Sequence, residues 1–230
     1  MRRRSATEAR HAPPPEGEDA ADLGAPLPRR FYARPAPALA RDALGRVLVC
    51  DGPAGRVAGV IVETEAYDGE RDPASHAYRG PTARNRVMYG APGHAYVYII
   101  YGMHVCLNLV AETPGHAAAV LVRALEPLAG LELMQRRRSG AAWERLARGP
   151  GNLGRALALT LGHNGADLTR GPIWLSDRPR RRSAHRVATG PRIGIRRGVE
   201  RPWRYWLDGH PCVSARRRAG TPPTSRLTPP

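Results

Sequence analysis

The segments VETEAY (62–67), SHAYRG (75–80) and YVYIIYGMHVCLN (96–108) decide the fold, and the last of them is the most explicit. It consists of two runs of β-branched and aromatic residues on either side of Gly102, a pattern that predicts two strands joined by a hairpin turn. Similar runs lie before and after it. The strands predicted in this part of the chain are 46–50, 59–67, 95–101, 104–111 and 119–125.

Helical periodicity begins after the last of these strands. Leu128, Leu131 and Met134 recur on one helical face and predict a helix over 127–138. A Gly-Pro-Gly turn opens a second predicted helix over 149–161. Strands in succession with helices to one side predict an α+β fold, a single mixed domain, rather than a doubly wound parallel sheet. Shorter strands are predicted at 173–176, 192–195 and 204–207.

Both ends of the chain differ from its middle in composition. Residues 1–28 are rich in proline, alanine and acidic residues and have no periodicity, which predicts a disordered leader. Residues 215–230 are rich in proline and arginine and predict a disordered basic tail. One domain is therefore predicted over 29–214.

The charge balance indicates a polyanionic partner. The chain has a net charge of +16 and a pI near 11.2, and residues 178–218 contain thirteen arginines against Glu200 and Asp208. Nucleic acid is the obvious counter-charge. A GC-rich coding sequence is the alternative explanation, because it replaces lysine with arginine. It does not explain why the cations outnumber the acids.

Cysteine spacing and hydropathy limit the kinds of site and the cellular location that the sequence predicts. Cys50, Cys106 and Cys212 form no CxxC motif, so zinc sites, iron–sulfur clusters and a disulfide framework are poorly supported. No apolar run approaches the roughly 18 residues of a membrane span. We expect a monomer without cofactor or metal and without membrane association, located in the cytoplasm at the nucleoid.

Chemistry is suggested first by the strand 59–67. Alternation places Glu63, Glu65 and Tyr67 on one face, with the two carboxylates roughly 7 Å apart. His76 lies a short loop away. Tyrosine and histidine beside a carboxylate form a slot in which a flat ring can stack while the acid acts on it. The alternative is that these polar residues form the wet face of a half-exposed strand.

Three further side chains fit such a slot. Tyr101 precedes the Gly102 turn, where an exposed ring can act as a wedge in a base stack, although tyrosines on strands more often cover a sheet. Arg123 ends an apolar strand and needs a partner if buried, for which Glu65 is a candidate. Solvent is its alternative. Asn108 lies among apolar residues, so its amide must find a hydrogen bond, and a ring edge is one candidate.

Two other features concern the backbone and the reaction type. Gly149, Gly151 and Asn152 surround Pro150 at the start of a predicted helix, where free N–H groups can bind a phosphate, although this is also an ordinary turn. The chain contains no lysine, whereas strand-nicking glycosylases need an amine for a Schiff base. Only the N-terminal amine is present, so glycosidic chemistry should use water.

Across roughly 40–214 the sequence resembles the 3-methyladenine (alkyladenine) DNA glycosylase family in its bacterial form. The shared segments, in order, are VETEAY, SHAYRG, TARNRVMYG, YVYIIYGMHVCLN, VLVRALEP, GPGNLGRAL and PRIGI. The resemblance implies a curved antiparallel sheet with flanking helices, from which a β-hairpin protrudes into the DNA minor groove. The lysine usual in the family after Gly-Pro-Gly is Asn152 here, which leaves one charged backbone contact without its residue.

The resemblance also implies residue roles. Glu65 corresponds to the catalytic acid that activates water, and Arg123 to the arginine beside it. Tyr67 and His76 enclose the flipped base, and Tyr98 completes the aromatic wall. Tyr101 fills the gap left in the duplex. Asn108 crowds the exocyclic amine of normal guanine.

These observations predict a monofunctional glycosylase that flips alkylated purines out of double-stranded DNA and leaves an abasic site. Two alternatives stay open. One is a non-catalytic, basic nucleic-acid-binding protein, which would bind with steep salt dependence and release no base. The other is a saccharide hydrolase that uses Glu63 and Glu65 as its carboxylate pair.

Overall fold

Eight strands form one antiparallel sheet in the computed structural model, which describes residues 23–178 and 185–214. The strands are β1 Val47–Gly52, β2 Gly55–Asp68, β3 Ala95–Ile100, β4 His104–Ala111, β5 Ala118–Ala129, β6 Ile173–Leu175, β7 Val187–Gly190 and β8 Arg204–Leu207. The α-helices are α1 Arg29–Tyr32, α2 Ala36–Ala43, α3 Leu131–Arg137 and α4 Pro150–Ala156. Short 3-10 helices occupy Gly69–Arg71, Arg86–Tyr89, Trp143–Arg145 and Leu161–His163.

The long strand β2 organises the sheet. Its residues 58–68 pair with β5 on one side, while on the other side residues 55–60 pair with β1 and residues 63–65 pair with β8. The sheet continues from β5 to β4 and β3, giving the order β3-β4-β5-β2-β1-β6. Irregular pairing at Ile61, Glu63 and Thr64 bends β2 where it changes partners. The predicted α+β fold with a curved antiparallel sheet is confirmed.

The core lies between the sheet and the helices. Leu39 of α2, Met134 of α3 and Leu153 of α4 are fully buried against strand residues such as Ile61 and Leu107. Helix α4 approaches β4 so closely that a Cβ on Gly154 would lie 2.0 Å from the carbonyl oxygen of Val105. This contact requires glycine, and it fixes α4 beside the root of the β3–β4 hairpin.

Several predicted boundaries are wrong. Residues 127–129 extend β5, and the helix predicted over 127–138 begins only at Leu131, because Gly130 takes a left-handed conformation with φ 70°. The helix predicted over 149–161 ends at Ala156. Its continuation is prevented at Ala158, which also has a left-handed φ, of 54°.

The strand predicted at 192–195 is a loop, and the strand in this region is β7 at Val187–Gly190. Here Ile193 N–H donates to the Glu65 side chain instead of a neighbouring strand, and Gly194 has φ 78°. Residues 23–28, predicted as the end of the leader, lie on the domain, since Leu23 and Leu27 are buried. Residues 1–22 and the predicted tail lie outside the described residues.

Within the described ranges, no helix has the length and apolar character needed to cross a membrane.

Candidate active site

A cavity of about 420 Å³ opens at the end of the sheet from which the β3–β4 hairpin extends. This volume lies within the range of small-ligand sites, about 300–1,000 Å³. The strands β2 to β5 form its floor, and its rim comes from loops 73–76 and 193–197. The predicted site residues that line it are Tyr67, His76, Tyr98, Tyr101, Asn108 and Arg123.

Glu65 lies behind the lining residues Tyr67 and Arg123 and has no exposed surface. Its Oε2 accepts a hydrogen bond from the Tyr67 hydroxyl at 2.8 Å, and its Oε1 accepts one from Ile193 N–H at 2.7 Å. Arg123 Nη1 lies 3.2 Å from the same Oε1. All three partners are donors, an arrangement that suits an acceptor-only carboxylate. The interpretation of Glu65 as part of a wet strand face is therefore wrong.

Arg123 is held between two carboxylates. Its Nε donates to Glu63 Oε1 at 3.0 Å while its Nη1 faces Glu65. Arg123 is buried, so the alternative of a strand-end arginine in solvent is excluded. The predicted pairing of Arg123 with Glu65 is confirmed.

Glu63 is fully buried, binds Arg123 and does not line the cavity. It also accepts hydrogen bonds from Arg204 Nε at 2.7 Å and from Ser214 N–H at 2.7 Å. Burial alone would raise the pKa of Glu63, but Arg123, Arg204 and Ser214 outweigh it and the pKa is lowered. A carboxylate with this many donors is unsuited to donate a proton, which removes the carboxylate pair that a saccharide hydrolase needs.

Aromatic rings form one wall of the cavity. The rings of His76 and Tyr98 meet edge to face with centroids 4.5 Å apart, and Tyr98 is 5.2 Å from Tyr96. Tyr96 and Tyr98 therefore lie on the same face of β3. His76 and Tyr98 are too close to hold a ring between them, and their planes are 71° apart, so a ring in the cavity would stack on the face of only one of them. Tyr67 lines the same cavity separately.

The rings are electrically neutral. Burial, and next the nearby Arg84, lower the pKa of His76, so its imidazole is uncharged at neutral pH. Burial, and next the Glu65 carboxylate, raise the pKa of Tyr67 well above 10, so its phenol keeps the proton that it donates. The cavity therefore presents π surfaces without a cation on the histidine.

Asn108 is buried on β4, where its Nδ2 donates to the Tyr96 carbonyl at 3.0 Å. This bond fixes the amide at the cavity wall. The buried asparagine expected from the sequence therefore has a backbone partner and also faces the cavity.

Tyr101 stands at the tip of the hairpin and is 88% exposed. Its φ of 51° is left-handed, as is that of Gly102 at 70°, and Met103 N–H closes the turn onto the Ile100 carbonyl. A non-glycine residue in this conformation costs of order 1 kcal/mol. The turn thus projects an aromatic ring beside the cavity mouth.

The Gly-Pro-Gly-Asn turn is less well supported as a phosphate site. Only Pro150 of this turn lines the cavity. The side chain of Asn152 turns back to donate to the Arg148 carbonyl at 2.8 Å, and His104 packs against Gly151. A phosphate contact by the backbone of Gly149, Gly151 and Asn152 stays a prediction.

Two residues that sequence reasoning missed organise the rim. Arg192 and Asp72 form a buried, two-pronged ion pair that joins the rim loops. Arg192 also donates to the Ala66 carbonyl at 2.9 Å, and its guanidinium lies over the Tyr67 ring. The only signal in the sequence was the position of Arg192 within PRIGI, a segment carried by the resemblance and mistaken for a strand.

In the described part of the chain, one group of side chains has the composition and spacing of a metal site. It consists of Asp68, Glu112 and His116, whose possible ligand atoms lie within 4.8 Å of one another. His116 Nε2 is 2.7 Å from Asp68 Oδ1, a hydrogen-bond distance. None of the three lines the cavity.

Comparison with known proteins agrees with this geometry. Residues 30–211 match the family model described as methylpurine-DNA glycosylase (MPG). A protein of Methanocella arvoryzae is 52% identical over 83% of this chain and 96% of its own length. Proteins of Bradyrhizobium diazoefficiens (48%, covering 84% and 92%) and Carboxydothermus hydrogenoformans (45%, covering 82% and 98%) are similar. All three are named "Putative 3-methyladenine DNA glycosylase".

Proposed function

The chain belongs to the methylpurine-DNA glycosylase family, and from this premise we propose that it releases alkylated purines from double-stranded DNA by hydrolysis. The target base is unreachable inside a duplex, so it must be flipped into the cavity, at a cost of a few kcal/mol that damaged pairs lessen. The product is an abasic site. We propose that the protein is located in the cytoplasm and acts on the DNA of the nucleoid.

Recognition is assigned to the aromatic residues and to Asn108. Tyr67 stacks on one face of the flipped base and His76 on the other, with Tyr98 completing the wall. Stacking contributes roughly 1–3 kcal/mol per base. N3- and N7-alkylated purines carry positive charge, which neutral, electron-rich rings attract. Asn108 crowds the exocyclic amine of undamaged guanine.

Hydrolysis is assigned to a water activated by Glu65. A carboxylate offers about four lone-pair positions, of which Tyr67, Ile193 and Arg123 occupy three. A water at the fourth position would give its proton to Glu65 as it attacks the sugar, a contribution of about 10²–10⁴-fold to the rate. Glu65 also stabilises positive charge developing on the sugar. Because Glu65 is sealed in the free protein, we expect the side chains in front of it to shift when the base enters.

One observation supports this proposal most strongly: Glu65 is bonded directly to Tyr67 and Arg123, which both line the cavity. A stacking surface and a buried carboxylate are thereby joined in one unit. Such a unit is what hydrolysis of a flipped base requires.

The wild-type protein is expected to release damaged base without cutting the DNA strand. The test uses duplexes with one 7-methylguanine, hypoxanthine or ethenoadenine, together with methylated DNA as the source of 3-methyladenine. Free base is measured directly, strand breaks are measured before and after alkali, and borohydride is added to trap any Schiff base. Since the chain has no lysine, we expect strand breaks only after alkali and no trapped adduct.

The outcomes separate the candidate functions. Salt-dependent binding without release from any lesion would support the non-catalytic nucleic-acid-binding protein. A borohydride adduct would contradict the hydrolytic mechanism while leaving base release intact.

Replacing Tyr101 with alanine should weaken capture of the flipped base. The ring that fills the vacated position in the duplex is lost, at roughly 1–3 kcal/mol of stacking. We expect single-turnover excision at limiting enzyme to slow by about tenfold or more, with the loss reduced at saturating enzyme. Tyr101→Phe is the matched control, because it keeps the ring and should retain most of the rate. Equal rates for Tyr101→Ala and wild type would exclude the wedge role.

A further inference from the structure

One face of the Tyr67 ring is covered by a charged group that does not belong to the cavity lining. Arg192 Cζ lies 4.7 Å from the centroid of the Tyr67 ring. Arg192 itself does not line the cavity, and its side chain is completely buried. A fixed positive charge therefore lies behind one of the rings that we propose to stack on the base.

Asp72 balances this charge. Both terminal nitrogens of Arg192 donate to its carboxylate, Nη2 at 2.8 Å from Oδ1, and the Asp72 side chain is also completely buried. Ala74 N–H donates to Oδ1 as well, at 3.1 Å, which holds the carboxylate in place. The pair as a whole presents no net charge to the Tyr67 ring.

The balance matters for a base that carries charge. A base stacked on the cavity face of Tyr67 lies about 8 Å from Arg192, the 4.7 Å to the ring plus a stacking distance of roughly 3.5 Å. At an effective dielectric constant near 20, one unbalanced charge at that distance changes the affinity for a cation by about tenfold or more. A neutral base is affected far less.

We propose that Asp72 sets the preference of this cavity for cationic alkylpurines over neutral damaged purines, by cancelling the charge of Arg192 behind Tyr67. This inference rests on the proposed function, because it takes Tyr67 as one wall of the base slot. Asp72 and Arg192 act through the ring and do not touch the base. They affect which base is bound and take no part in the bond cleavage.

The test compares the affinities of the full-length protein for two duplexes, one with 7-methylguanine and one with ethenoadenine. It is done in the Glu65→Gln background, so that no base is released, and at mildly acidic pH, where 7-methylguanine keeps its positive charge. Asp72→Asn leaves Arg192 unbalanced, and we expect the ratio of cationic to neutral affinity to fall about tenfold. Arg192→Gln leaves Asp72 unbalanced, and the ratio should rise.

The double variant Asp72→Asn/Arg192→Gln is the matched control. It has no charge behind Tyr67, so the ratio should return to near the wild-type value even if both affinities are lower. A purely structural role of the ion pair would lower both affinities together in all variants. Ratios that do not change, or that change in the same direction in both single variants, would overturn the proposal.

Two features keep the test decisive. The two single variants are expected to change the ratio in opposite directions. If only one of them is folded, as judged by cooperative thermal unfolding, the direction of its change still tests the proposal. The other charged groups near the cavity, such as Arg84, Arg123 and Arg196, are the same in every variant and cancel in the comparison. If wild type releases no base from alkylated DNA, the proposed function fails; if it does and the ratios are constant, only this inference fails.

Discussion

Replacing Glu65 with glutamine is expected to slow base release by about 10²–10⁴-fold and to leave the affinity for a duplex with a neutral damaged purine nearly unchanged. The glutamine side chain has the same shape, and its carbonyl oxygen can still accept from Ile193 N–H, which bonds Glu65 Oε1 at 2.7 Å. What is lost is the capacity to take a proton from water. Single-turnover release and equilibrium binding, measured on the same duplex, separate the two effects.

Glu63→Gln is the matched comparison, two residues earlier on the same strand. Glu63 does not line the cavity and contacts Arg123, Arg204 and Ser214. We expect a smaller loss of rate, accompanied by a lower melting temperature. If Glu65→Gln released base at the wild-type rate, or if Glu63→Gln were the more damaging change, Glu65 would not be the general base.

The elements that the sequence predicted correctly depend on local pattern. β-Branched and aromatic runs predicted β1 to β5 within a few residues, and the apolar surroundings of Arg123 predicted that it needs a buried partner. Glu65 was the candidate for this partner, with solvent as the alternative. Local reasoning did not predict that Glu63 lies closer to Arg123 Nε, at 3.0 Å, than Glu65 does to Nη1, at 3.2 Å.

The elements that it missed depend on contacts between distant parts of the chain. Asp72 and Arg192 are separated by 120 positions, and both lie in loops, where side-chain periodicity carries no information. The strand predicted at 192–195 was wrong for the same reason. Apolar residues alternate there, but the backbone N–H of Ile193 is taken by Glu65, a partner that no local pattern reveals.

The arginine content was also only partly interpretable. A high local density of arginine in 178–218 indicated nucleic acid, yet Arg192 and Arg204 in this segment are buried partners of Asp72 and Glu63. Arg196 and Arg197 are exposed at the cavity rim, where a phosphate backbone can reach them. Composition counts charges, whereas the fold decides which of them face a partner.

Arg123→Gln is expected to lower the free energy of unfolding by about 3–5 kcal/mol at neutral pH, the usual cost of leaving a buried charge without its partner. Arg123 lies between Glu63 at 3.0 Å and Glu65 at 3.2 Å. Glutamine cannot offset either charge, so Glu63 would keep Arg204 as its cationic partner and Glu65 would keep only the electrostatic interaction with Arg192. Denaturant unfolding of the wild type and the variant measures the difference.

Arg136→Gln is the control for removing an arginine from an ion pair at the surface. Arg136 faces Glu132 at 3.7 Å, with 65% of its side chain exposed, and exposed pairs of this kind are worth about 0–1 kcal/mol. We expect almost no change in stability. A similar small effect for Arg123→Gln would mean that the buried carboxylates do not depend on Arg123.

The cost of Arg123→Gln should also depend on pH, with a definite sign. In the wild type, burial would raise the pKa of Glu63, but Arg123 and its other partners hold it below the ordinary value of 4.5. The stability that this gives is present above the ordinary pKa and is lost as the pH falls through the lowered one. Without Arg123 the pKa of Glu63 rises, and its carboxyl is protonated earlier during acidification.

The difference in stability between wild type and variant should therefore be largest above about pH 5 and become smaller below about pH 4. A difference that grows on acidification would contradict an electrostatic origin and indicate that Arg123 stabilises the domain through packing.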